Sequence, residues 1–282
     1  MGNGLLFDLT TVEKAMNSLS EFIGKDKREI FMCLIKNNKK YCNDDNKIYD
    51  KFLEELNIDL DKLSLDELEI KSIHVTTGND NGNSIKKNGL KNLRETIKTD
   101  TPMKKFLNDR EIEIDIEKQE IKYQGKCIFS EDEQKKCVLD KNFIFHKLNK
   151  DYLINGFHYA NEPIKYGGGV AYRPEFIAEV GKLINGLEYE WRKIFNQCYI
   201  VEYKANPYNY EWFNYQIDNI DKEMFEDDKD YYIKTSLIKN SISVIVEDIN
   251  DSKADEIFSY AKFDYNVPSS DIINIIDVTS QR

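Results

Sequence analysis

His74 stands in Ile73-His-Val-Thr-Thr77, inside an alternating, β-rich stretch, with the Thr76 hydroxyl two residues on. A lone strand histidine is more often a hydrogen-bonded structural residue, and the company it keeps makes this one a candidate. Gly167-Gly-Gly169 can bring backbone amides close to a pyrophosphate, and Arg173 just after it can clamp a phosphate bidentately. A plain flexible turn and a surface arginine opening a helix are the alternative readings. His146, in Phe143-Ile-Phe-His-Lys-Leu148, reads as packing, and His158 lies in a glycine-rich, aromatic stretch. The chain holds no GxSxG, HExxH, kinase set or P-loop. Cys33, Cys42, Cys127, Cys137 and Cys198 are irregularly spaced with no CxxC pair, which points to reduced, mostly structural thiols and no zinc site.

The run Ile73-His-Val-Thr-Thr77, followed by Ser84-Ile-Lys-Lys-Asn-Gly-Leu90, resembles the opening of ADP-ribosyltransferases of the His-type lineage. That lineage includes diphtheria-toxin-like and poly(ADP-ribose)-polymerase-like enzymes and the DNA-modifying toxin branch. Gly125-Lys-Cys-Ile-Phe-Ser130 is similar to the Gly-Ile-Tyr-Phe-Ala/Ser strand of the same superfamily, with Ile128 where Tyr is common. The resemblance covers residues 68–137 and, more loosely, 240–278. It implies NAD as substrate. His74 would donate a hydrogen bond to the nicotinamide ribose, with Thr76 in support. Phe129 and Ser130 would form the wall beside the nicotinamide, and Tyr159, Tyr166 or Tyr172 would stack on it in place of Ile128. The family also uses a Glu opening a late strand, because a fixed carboxylate stabilises an oxocarbenium-like transition state. Asp264 is nearest in register, Glu256 lies upstream, and Glu190 in Glu188-Tyr-Glu-Trp-Arg192 is a rival.

Elements must position these residues. Over residues ~8–68, Val12, Ala15, Met16, Leu19, Phe22 and Ile23 recur at helical spacing, with Thr11 as a cap. Ile30, Phe31, Leu34 and Ile35 predict a second helix, and Phe52, Leu53 and Leu56 a third, with a break at Asn43–Asn46. Leu68–Val75 reads as a strand, 76–82 as a loop, and 84–90 as a short helix ending at Gly89 in a left-handed cap. Glu111–Ile116, Lys126–Phe129, Cys198–Tyr203, Ser241–Val246, Ala261–Val267 and Ile272–Ile276 read as strands. Ser130-Glu-Asp-Glu133 fits a capping box, residues ~150–170 a loop, and Pro174 the first turn of a helix. The expected class is α+β: a helical region over 1–67, then a split-sheet, ADP-ribosyltransferase-like domain over 68–282.

Composition sets the outer limits. At 40% hydrophobic and 12% aromatic residues the chain is not of disordered type. A net charge of −11 repels phosphate backbones and anionic lipid, disfavouring extended nucleic-acid binding, although Lys86, Lys87, Lys91 and Arg94 form a local basic group. No apolar run spans a bilayer, and Met1–Asp8 lacks the basic start of a secretory signal, so a cytoplasmic setting without membrane is expected. The expected activity is NAD-dependent ADP-ribosyl transfer to an unknown macromolecular acceptor, in an intracellular toxin or defence effector. The competing expectation is a non-catalytic interaction module on a degenerate version of that fold.

Overall fold

A computed structural model of the chain describes residues 4–41, 44–130, 142–212 and 228–282. They form an α+β fold that separates into two compact units, and both are assembled from discontinuous stretches.

The first unit comprises Met1–Ile73, Gly156–Asn161 and Glu202–Tyr260. Its first helix, α1 (Val12–Ile23), starts where the Thr11 side chain accepts from the Lys14 amide and stops at Gly24, whose φ of 64° suits glycine. Ala15, Leu19, Phe22 and Ile23 are its buried stripe. Helix α2 (Lys27–Tyr41) buries Ile30, Cys33 and Leu34. Helix α3 (Asp45–Glu55), capped by Asp44, buries Ile48, Tyr49 and Phe52. Strand β1 (Leu6–Phe7) lies parallel to the next strand, β2 (Glu69–Gly78), placing Phe7 against Ile70. Beside that pairing the buried Lys71 ammonium meets Glu202 at 2.7 Å and Asp8 at 3.4 Å.

All three N-terminal helices pack on a helix from far along the chain, Lys229–Ile249. The expected strand Ser241–Val246 lies inside it. Ile233, Leu237, Ser241 and Ile245 are buried at a spacing of four, the period of a helix. The β-branched run that suggested a strand is a helix covered on several sides, where tertiary burial overrides local propensity.

The second unit comprises His74–Asn155, Glu162–Val201 and Ala261–Arg282. After β2 come α4 (Asn83–Asn88), α5 (Leu93–Lys98) and α6 (Pro102–Asn108). An antiparallel meander follows: β3 (Ile112–Asp115), β4 (Glu120–Tyr123) and β5 (Lys126–Ser130). Then come α7 (Asn142–Asn149), β6 (Asn155–Tyr159), α8 (Glu175–Gly181), α9 (Leu187–Ile194) and β7 (Gln197–Ala205). The long late helix is α10 (Lys229–Ile249), and β8 (Ile257–Tyr260) and β9 (Ile272–Asp277) close the chain. The meander, α6, α7, α8 and α9 share one apolar core containing Phe106, Phe129, Phe145, Ile177 and Trp191.

The larger sheet runs β8-β6-β2-β7-β9, with β1 added to β2. Strands β2, β6 and β7 each contribute residues to both units. Strands β4 and β6 lie where no strand was expected. Residues 261–267 form no strand: Phe263 and Asp264 make a turn, and Val267 only bridges to Leu90. Gly89 ends α4 with φ 72° and ψ −160°, outside the left-handed helical region expected of it. Cys42, Cys137 and the capping box after Ser130 lie outside the described residues.

Candidate functional site

Strand β2 presents His74 and Thr76 on one face, since side chains two apart point the same way. Its far end is fixed by Thr77, whose hydroxyl accepts a 3.0 Å hydrogen bond from the Trp191 indole N–H on α9. His74 Nδ1 lies 2.6 Å from the Asn155 main-chain oxygen. A carbonyl can only accept, so Nδ1 carries the proton. Burial lowers the imidazole's pKa and outweighs that hydrogen bond, which acts the other way, so the ring is neutral at pH 7. A neutral ring protonated at Nδ1 keeps a lone pair on Nε2. Such a histidine accepts a hydrogen bond from a ligand hydroxyl, whereas the resemblance implied donation.

A polar path leads on from Asn155. Its side-chain amide donates to Asp151 at 2.8 Å, while its Oδ1 is buried without a hydrogen-bond partner among the described residues. Asp151 shares the Lys147 ammonium with Glu175, the residue that opens α8. Burial pushes the pKa of Lys147 down, but the hydrogen bonds and charges of its two carboxylates outweigh burial and hold it above the ordinary lysine value. Glu175 reaches the glycine turn, for a Cβ added at Gly168 would meet its Oε1 at 3.2 Å. Gly168 and Gly169 have φ of 77° and 72°, which only glycine adopts without strain. From the other side the Arg173 guanidinium donates to the Gly168 carbonyl and lies 3.3 Å from Glu188, which also pairs with Arg192. One stretch of the second unit therefore strings together a neutral histidine acceptor, a glycine turn with Arg173 beside it, the cations Lys147 and Arg192, and the carboxylates of Asp151, Glu175 and Glu188. Comparisons with family models, with curated proteins and with solved structures find no match to this chain.

The other expected residues are placed as follows. Arg173 and Tyr166 flank the glycine turn, and Tyr166 is 40% exposed. The guanidiniums of Arg192 and Arg282 lie 5.3 and 5.6 Å from the centre of the Tyr172 ring. Tyr159 belongs to the first unit, where its hydroxyl donates to Asn161. Phe129 is fully buried and stacked on Phe145 at 5.2 Å, so its ring is spent on the core and offers no face to a ligand. Ser130 ends β5 opposite Glu120. Neither of the two expected carboxylates joins the polar path: Asp264 is exposed in its turn, and Glu190 is half-exposed and paired with Arg110 at 2.6 Å. The carboxylates that do join it, Asp151 and Glu175, went unread because no local motif marks them. Their signal was the spacing of Lys147 and Asp151 over one helical turn.

The first unit holds a separate buried polar cluster. Ser72 Oγ lies 2.9 Å from His158 Nδ1 and 2.8 Å from the Tyr210 hydroxyl. This spacing matches a nucleophile and its base. Ser72 is fully enclosed, however, and His158 is stacked under Trp212, so no substrate reaches the pair. Burial lowers the His158 pKa to about 4, so the ring stays neutral at pH 7.

Proposed function

We propose that the second unit binds NAD and catalyses ADP-ribosyl transfer to a macromolecular acceptor, within an intracellular toxin or defence effector. The observation carrying this reading is the neutral, Nδ1-protonated His74 on β2, with Thr76 on the same face. In the reading, Nε2 accepts from a ribose hydroxyl, and the amides of the Gly167–Gly169 turn with Arg173 face the pyrophosphate. Tyr166 supplies a ring for the nicotinamide. A carboxylate of the polar path, Asp151 or Glu175, stabilises the positive charge that builds on the ribose as nicotinamide departs.

The second reading, a non-catalytic binding module, is favoured by one specific observation. The late carboxylate Asp264 and its rival Glu190, the two expected to act, are both apart from His74's polar path. The discriminating experiment is nicotinamide release from NAD by the purified chain, with cell lysate as acceptor, comparing wild type with His74→Asn. Asparagine places an amide N–H where Nδ1 stood and removes Nε2. Release by wild type that is lost in His74→Asn supports transfer, and no release from wild type supports the binding module.

A further inference from the structure

The outward residues of α2 fall mostly in two adjacent rows four apart, Lys27, Phe31, the half-buried Ile35 and Lys39, then Arg28, Met32, Lys36 and Lys40, with Glu29 exposed beside them. Ile30, Cys33, Leu34, Asn37 and Asn38 face the core instead. Apolar residues therefore sit at the centre of the exposed face, with Phe31 42% and Met32 58% exposed, and cations sit at both ends. The helix carries Lys27, Arg28, Lys36, Lys39 and Lys40 against the single carboxylate of Glu29, in a chain whose net charge is −11. Lys36 is engaged with Glu55 at 2.9 Å, while Lys27, Arg28 and Lys39 are exposed.

Shape and size say what fits this face. A single convex helix of 15 residues offers no pocket. Its outer strip is about 22 Å long and about 10 Å wide. That is roughly 200 Å², against about 800 Å² per partner in a stable protein–protein interface. A lipid surface requires neither a pocket nor that area. Apolar side chains enter the headgroup boundary while lysine and arginine stems lie along it with their charges on anionic headgroups.

We propose that α2 docks the chain on an anionic membrane surface, with Phe31 and Met32 inserted and Lys27, Arg28, Lys39 and Lys40 on the headgroups. No span is needed, and no helix among the described residues is long and apolar enough to cross a membrane. The proposal is independent of the NAD reading.

The test is sedimentation of the full chain with vesicles of phosphatidylserine in phosphatidylcholine, beside vesicles of phosphatidylcholine alone, at low and at physiological salt. Two paired variants are compared with wild type, Phe31→Ser with Met32→Ser and Lys39→Glu with Lys40→Glu. All four positions are exposed, so thermal midpoints should stay near wild type, and circular dichroism checks that they do. The expected result is binding to the anionic vesicles only, weakened by salt and at least tenfold weaker in either variant. No binding by wild type, equal binding to neutral vesicles, or binding that both folded variants retain would overturn the proposal. Retention of wild type on heparin or RNA, with no vesicle binding, would reassign the face to a polyanion.

Discussion

The imidazole Nδ1 of His74 lies 2.6 Å from the main-chain oxygen of Asn155, which joins β2 to the start of β6 and fixes the ring's tautomer. His74→Ala removes the donor from a part-buried carbonyl, so it should lower stability by about 1–3 kcal/mol whatever the protein does. His74→Asn keeps a donor there and should cost less than about 1 kcal/mol. Denaturant unfolding of both variants separates the structural bond from the role of Nε2, which nicotinamide release reads.

Stability should fall in acid through a histidine. The folded His158 pKa of about 4 lies below the unfolded value of 6.5, so the unfolded chain binds the proton first. Its contribution is complete above pH 6.5 and drains away as pH falls toward 4, at about 1.4 kcal/mol per unit and about 3 kcal/mol in all. The depressed pKa of His74 acts in the same direction. Urea unfolding between pH 4 and 7 should show this slope, and His158→Gln should flatten it.

Glycine at 89 should tolerate no side chain. Its φ is 72°, and an added Cβ would stand 1.9 Å from the Val267 carbonyl oxygen, in the Leu90–Val267 bridge. Gly89→Ala should cost more than about 3 kcal/mol, because backbone has to move. At Gly24, where φ is 64° and nothing lies within 4 Å of the added carbon, the same change should cost about 1 kcal/mol. Thermal midpoints of the two variants test the contrast.

Lys71 sits at 6% side-chain exposure between Glu202 and Asp8. Lys71→Met should destabilise by about 3 kcal/mol, since it strands the Glu202 carboxylate, whereas Asp8 keeps Lys14 at 3.2 Å. Adding Glu202→Leu should restore part of that loss, and a double-mutant cycle in urea measures how much.

Much of this was legible where a local rule sufficed. Thr11 and the spacing of Ala15, Leu19 and Phe22 mark α1, and alternation marks β2. Strand β6 was hidden because Asn155-Gly-Phe-His-Tyr159 carries no aliphatic residue, only the aromatics Phe157 and Tyr159 among polar and flexible ones, and its strand pairs Phe157 with Ile73. The run Ser241–Val246 misled for the opposite reason, since its β-branched residues are buried by three helices that no local window contains. At the candidate site His74 was readable from its strand. Lys147, Asp151 and Asn155 stand four apart and left that signal, but the links from Asn155 to His74 and from Lys147 to Glu175 required the fold, because hydrogen bonds between distant segments leave no spacing in the sequence. Phe129 looked like a ligand wall only while its partner Phe145 was unknown.

Helix α1 leaves the ribosome about 200 residues before α10, the helix that covers it; at 5–20 residues per second that is a wait of roughly 10–40 s. Throughout that interval α1, α2 and α3 lack the helix that all three pack on, and the Asn38–Asn250 and Tyr49–Thr235 hydrogen bonds cannot form. The first unit must therefore mature only once residues 229–249 have been made, so a nascent chain truncated before residue 229 should stay protease-sensitive and engage chaperones, while one carrying all 282 residues should not.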